Sequence, residues 1–116
     1  MSVLVINKLM FDGSEQSFYS FKIEISCPFC GKEIIFLADD MFPMKEMNLK
    51  SFPKDFAKQL NLRRRANGKI FKNSHGLQAY AIECQCWDCE ASFIVVAGIG
   101  EIQPSRFNVF LEGVVK

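Results

Sequence analysis

Apolar and polar residues alternate along Tyr19, Phe21, Ile23 and Ile25, separated by Ser20, Lys22 and Glu24. This period of two marks a strand with one buried face. Upstream, residues 3–11 are rich in β-branched and aromatic side chains, and Asp12-Gly13 is a good turn signal. The pattern therefore predicts a hairpin with arms 3–11 and 17–26. A short return strand is expected at Ile34-Ile35-Phe36-Leu37, followed by an irregular loop or lid over 38–53, where two prolines and three methionines break any period. Residues 54–66 hold good helix formers, Phe56 and Leu60 at an i, i+4 spacing, and a stop at Asn67-Gly68. Strands are expected again at 69–73, 77–84 and 92–98. Gly98, Gly100 and Pro104 should interrupt the chain before a last strand in "RFNVFLEGVV".

The expected fold class is mainly β (α+β): an antiparallel sheet with one short helix in an insert, 38–72, within a single domain spanning 1–116. The length fits one core. A hydrophobic fraction of 49% with 12 phenylalanines excludes a disordered chain, because that much apolar surface offsets the entropy of ordering. The N-terminal "MSVLVINKLMFDG" lacks the basic leader and cleavage site of a signal peptide. The best apolar run, 93–100, falls well short of the roughly 20 residues a spanning helix needs. The expectation is a cytoplasmic protein with no membrane segment, in which cysteines stay reduced.

Five cysteines, an odd count, fit a disulfide framework poorly. Two CxxC pairs, in "CPFCGK" and "CWDCEA", fit a metal better, since each tight turn supplies two thiolates to one ion. Pro28 stiffens the first turn and Gly31 permits the positive φ needed to leave it; Glu90 stands where the second turn would have glycine. A thioredoxin-type motif would continue into a helix, whereas strand patterns follow both pairs here. The alternative of five reduced, buried cysteines without metal leaves the doubled spacing unexplained.

Cys27, Pro28, Cys30, Gly31 and Phe36, followed by Cys86, Cys89 and Phe93, resemble the two knuckles of a zinc ribbon or rubredoxin-like site. The resemblance covers about two dozen residues in two pieces and implies that Cys27, Cys30, Cys86 and Cys89 are the metal ligands, each pair on its own hairpin. The 55 residues between the paired turns exceed what a minimal ribbon needs. Zinc is the expected metal and iron the alternative, as four thiolates bind either. Four protein ligands leave no open position, so the site is read as structural and the protein as no enzyme. Cys84 shares a strand face with Cys86 and is either a further ligand or a small buried hydrophobe. The single histidine, His75, reads as a turn residue before a ligand or base, and Asp39-Asp40 lacks cation-loop spacing.

Charge changes the picture of partners. The net charge is +1, yet residues 54–72 hold seven basic residues against Asp55 alone, a local +6 that leaves −5 elsewhere. Lys58, Arg63, Arg64, Arg65 and Lys69 are thus candidate contacts for nucleic acid or for an acidic partner. The arginines also suit a helix C-terminus in water, and no aromatic residue interleaves with them to stack bases. A protein partner is therefore the favoured reading, with Met41, Phe42, Met44 and Met47 of the insert as contact candidates, and their packing in the core as the alternative. Nucleic acid is the second reading.

Overall fold

The computed structural model describes residues 2–44, 54–65 and 70–116. Its described strands are β1 (Val3–Ser14), β2 (Lys22–Ser26), β3 (Glu33–Leu37), β4 (Phe42–Pro43), β5 (Arg63–Arg65), β6 (Ile70–Lys72), β7 (Gln78–Gln85), β8 (Ser92–Gln103) and β9 (Arg106–Val115). Two short helices, α1 (Glu15–Tyr19) and α2 (Lys54–Gln59), and a 3₁₀ turn at Ala38–Asp40 complete the described elements. Among the described residues the strands form a seven-stranded sheet, ordered β1-β9-β8-β7-β6-β5 with β4 also against β7, and a separate two-stranded β2-β3 sheet. Every pairing among the described residues is antiparallel. The mainly β expectation holds.

Alternation decides how the large sheet is covered. On β8, Phe93, Val95, Ala97 and Ile99 join Ile23 and Ile25 of β2 and Phe18 of α1 in one buried cluster. Val96 points the other way, into a second cluster with Ala79, Ala81, Phe56 and Leu60. The central strands are thus buried on both faces, by the β2-β3 hairpin on one and by α2 on the other. This is why "FIVVAGIG" reads as an almost continuous apolar run.

Three local expectations are corrected. The 3–11/17–26 hairpin does not form: β1 runs through Asp12-Gly13 and pairs with β9, from Val3↔Val115 to Ser14↔Arg106. Its end is fixed by Arg106, which donates to both Asp12 carboxylate oxygens at 2.6 Å. The bend falls instead at Ser14, whose hydroxyl caps α1 by accepting the Ser17 N–H. A partner 94 residues away outweighs the local turn signal.

The helix expected over 54–66 ends at Gln59. Asn61 adopts a left-handed φ of 59°, the Asn61 N–H donates to the Lys58 carbonyl, and the Leu62 N–H donates to the Ala57 carbonyl. That pair of bonds is a Schellman closure with asparagine in the place glycine usually takes. Leu62 then packs inward at 6% exposure, and Arg63–Arg65 emerge as β5, an edge strand, where a helix end was expected. The expected stop at Asn67-Gly68 lies outside the described residues.

Gly98 and Gly100 do not interrupt β8. A Cβ at Gly98 would sit 2.2 Å from the Asn73 side-chain nitrogen, and one at Gly100 would sit 3.1 Å from Leu77, so both glycines make room for the turn packed above them. The strand stops only at Pro104-Ser105, where Ser105 takes a φ of 64°. In the 38–53 stretch, Met41 and Met44 are core residues at 5% and 1% exposure, and Phe42 faces solvent; residues 45–53, Met47 included, lie outside the described residues.

Candidate metal centre

Each CxxC pair tips an antiparallel hairpin. Ser26↔Glu33 is the last pair of β2-β3 and Gln85↔Ser92 the last of β7-β8, so two six-residue loops, 27–32 and 86–91, leave their strands in the same way. Their backbone bonds match one for one. The Cys27 N–H donates to the Lys32 carbonyl and the Cys86 N–H to the Ala91 carbonyl, at 2.7 and 2.9 Å; the Gly31 and Glu90 N–H groups donate to the carbonyls of Cys27 and Cys86, at 3.0 and 2.9 Å. Gly31 takes a φ of 82° and Glu90 a φ of 62°. Glu90 adopts the glycine conformation despite its side chain, at a cost of about 1–2 kcal/mol.

The loops bring four sulfurs together. Cys27, Cys30, Cys86 and Cys89 offer Sγ atoms that all lie within 4.8 Å of one another. The closest pairs bridge the two loops: Cys27 to Cys89 at 3.7 Å and Cys30 to Cys86 at 3.6 Å. A metal with four sulfur bonds of about 2.3 Å at tetrahedral corners sets a sulfur–sulfur edge of about 3.8 Å. The donor set fits such an ion. Cys27 and Cys86 are buried, at 3% and 0% exposure, and Cys30 and Cys89 form the outer half.

The electrostatics of the bare thiols point the same way. Burial opposes ionisation of Cys27, but N–H groups of Phe29 and Cys30 and the thiols of Cys89 and Cys30 stabilise its thiolate, bringing it down to about 7. At Cys30 the Lys32 N–H favours the thiolate, yet burial and the sulfurs of Cys86, Cys89 and Cys27 outweigh it and push the group up to about 12. Cys89 receives the matching Ala91 N–H and is also raised, by burial and by Cys27 and Cys86. Sulfurs this close cannot all carry charge alone. A bound cation lifts that restriction and uses the amide donors already aimed at the sulfurs.

Comparison with protein-family models, curated proteins and solved structures returned no match.

Cys84 stands outside the four-sulfur group. It pairs with Phe93 in the β7-β8 ladder, packs in the first core cluster, and burial pushes its thiol up to about 11. Packing describes it. The His75 ring stacks on Phe110 at 4.2 Å and is not part of the cysteine group. Asp39 and Asp40 lie on the 3₁₀ turn and are exposed. Of the basic candidates, Lys58 is exposed on α2 and Arg63 on β5; Arg64 and Arg65 continue β5, and Lys69 lies outside the described residues. Among the described residues no helix is long and apolar enough to cross a membrane.

Two features of the loops escape a reading based on cysteine spacing. Trp87, the chain's one tryptophan, is 74% exposed, and Phe29 is 54% exposed with the Lys116 ammonium 5.8 Å from its ring centre. An aromatic residue between two cysteines that both turn inward is the available signal, because the tight turn leaves it facing out.

Proposed function

We propose that this chain is a small non-catalytic binding protein whose four cysteines hold a structural zinc ion in a zinc-ribbon-like double knuckle, and that it acts by binding another protein. The observation that carries the binding role is the exposure of Trp87 and Phe29 on the loops that the metal clasps. Tryptophan is rarely left in water without a use, and aromatic anchors held on rigid turns dominate protein interfaces. Zinc is favoured over iron because its affinity for a given site is the higher and it adds no redox reactivity. Four thiolates fill the tetrahedron and leave no place for water or substrate, which supports a binding role over catalysis. A reducing compartment such as the cytoplasm suits the free thiols.

The basic strand is remote from these rings. β6 meets β7 at Lys72↔Gln78, whereas the knuckle follows Gln85, seven residues along the strand and about 23 Å away. Aromatic stacking and arginine–phosphate contacts would not converge on the same few nucleotides, so a protein partner is preferred to nucleic acid. An adaptor, inhibitor or immunity-type role fits a module of this kind, with the basic strand free to meet an acidic patch of the partner.

The test is capture of partners by the zinc-loaded chain beside a Trp87→Ala, Phe29→Ala variant with the same melting temperature, together with titration against random DNA and RNA at low salt. Loss of a specific protein partner in the variant is expected. Capture that ignores both substitutions, or tight nucleic-acid binding that depends on Arg63, Arg64 and Arg65 and falls steeply with salt, would overturn the reading.

A further inference from the structure

At the end of the sheet away from the cysteines, Arg63 of β5 and Lys72 of β6 are direct cross-strand partners. Side chains so placed stand on the same face, their Cβ atoms about 5 Å apart, and like charges there repel. Among the described residues neither cation has a carboxylate partner. Both instead line one concavity of about 230 Å³, together with Asn73, Ser74 and Gly76. Among the described residues no carboxylate lines it.

The floor of this concavity is fixed from below. Asn73 is 4% exposed; its amide nitrogen donates to Glu112 at 2.8 Å, and its side-chain oxygen accepts the N–H groups of His75 and Leu77 at 3.0 and 2.9 Å. Every polar atom of that side chain is engaged, so Asn73 pins the 73–77 turn and leaves the binding to others. The Ser74 hydroxyl makes no hydrogen bond with a described residue and is exposed beside the two cations. A pinned turn thus holds a hydroxyl next to a guanidinium fork and an ammonium, all of them donors and none neutralised by a described residue.

We propose that Arg63, Lys72 and Ser74 form a binding site for a phosphate-class oxyanion, either free phosphate or the phosphate group of a small monoester. A dianion matches the two positive charges, its several oxygens accept from the fork, the ammonium and the hydroxyl together, and it relieves the cross-strand repulsion. The volume admits a phosphate with part of a small ester group or a few waters. The site is separate from the metal centre, and its test requires no protein partner.

The test uses the full ¹⁵N-labelled chain, kept reduced, titrated with inorganic phosphate, with glycerol phosphate, and with chloride at matched ionic strength. Saturable amide shifts at Arg63 and Lys72–Leu77 are expected with phosphate but not with chloride, and an Arg63→Gln, Lys72→Gln variant should bind at least about tenfold more weakly. Saturation by glycerol phosphate as well as by phosphate marks a monoester site, and by phosphate alone a free-phosphate site; either supports the proposal. Arg63→Gln alone, an exposed change, repeats the test should the double variant not fold. Equal shifts with chloride, or titrations that both variants leave unchanged, would overturn it.

Discussion

Removing the metal from the four-cysteine centre should destabilise the chain by an amount that the topology sets. No strand pairing joins the β2-β3 sheet to the large sheet among the described residues; beyond the chain connections to β1 and β4, side-chain packing holds the two hairpins together, and a bound metal would add a clasp. A metal bridging Cys30 and Cys86 closes a loop with 55 intervening residues. Treated as a cross-link, that closure removes unfolded-state entropy worth about 4 kcal/mol at room temperature. A domain of this size has a total stability of about 5–15 kcal/mol, so the clasp is a large share of it. The expected loss in melting temperature on stripping the metal under reducing conditions is about 15 °C.

The assay is thermal unfolding followed by far-ultraviolet circular dichroism and by Trp87 fluorescence, with and without chelator. Trp87, 74% exposed and next to Cys86, reports the knuckle, while dichroism reports the sheet. Both signals should shift down together, and a Cys27→Ser, Cys30→Ser variant should melt like the stripped protein and fail to retain one ion. A stripped chain that melts within about 2 °C of the loaded one would refute the cross-link reasoning. So would a double-serine variant that folds and still holds one metal.

Other perturbations are equally specific. Gly31→Ala should cost about 1 kcal/mol in urea unfolding, because φ is 82° and nothing lies within 4 Å of the new methyl, so only backbone strain acts; Glu90→Gly should show a smaller change of opposite sign. Asn73→Ala removes the donor to the buried Glu112 carboxylate and frees two turn N–H groups, and should destabilise by about 3 kcal/mol. Glu112 is raised above its ordinary value of 4.5 by burial, which outweighs the Asn73 bond and His75. Its protonated form therefore favours folding: that stability is fully present below 4.5 and is lost as pH rises through the folded-state value. Relative to the native chain, Glu112→Gln should gain stability from acid toward neutral pH; a difference in urea midpoints that stays flat between about pH 4 and 7 would contradict the burial account.

The cysteine spacing predicted the centre's four donors because a CxxC turn is a local object: two residues between thiols put both on one side of a tight loop. The strands around it were legible in part: Ile23 and Ile25 declare a buried face within a few residues, but the alternation read back to Tyr19 overran into α1, which Ser14 caps. Glu90 stands where glycine would be expected, and its backbone takes the glycine shape under the Cys86–Ala91 and Glu90–Cys86 bonds of its loop. The exposure of Trp87 and Phe29 needed the loops themselves.

What the chain's order of residues decided alone was thus local: strand periods, the two CxxC turns, and the uneven distribution of charge. The tertiary structure decided which strand each one pairs with. Asp12-Gly13 signals a turn, but Arg106 and the whole of β9 compete for the same residues, and a long ladder outweighs a two-residue preference. The arginine run reads as the end of a helix until Leu62, six residues past Phe56 and buried in the same cluster, forces the chain to close at Asn61 and continue as an edge strand. Opposition of Arg63 and Lys72 follows from that pairing alone, because two cations nine residues apart become neighbours only when the chain folds back between them.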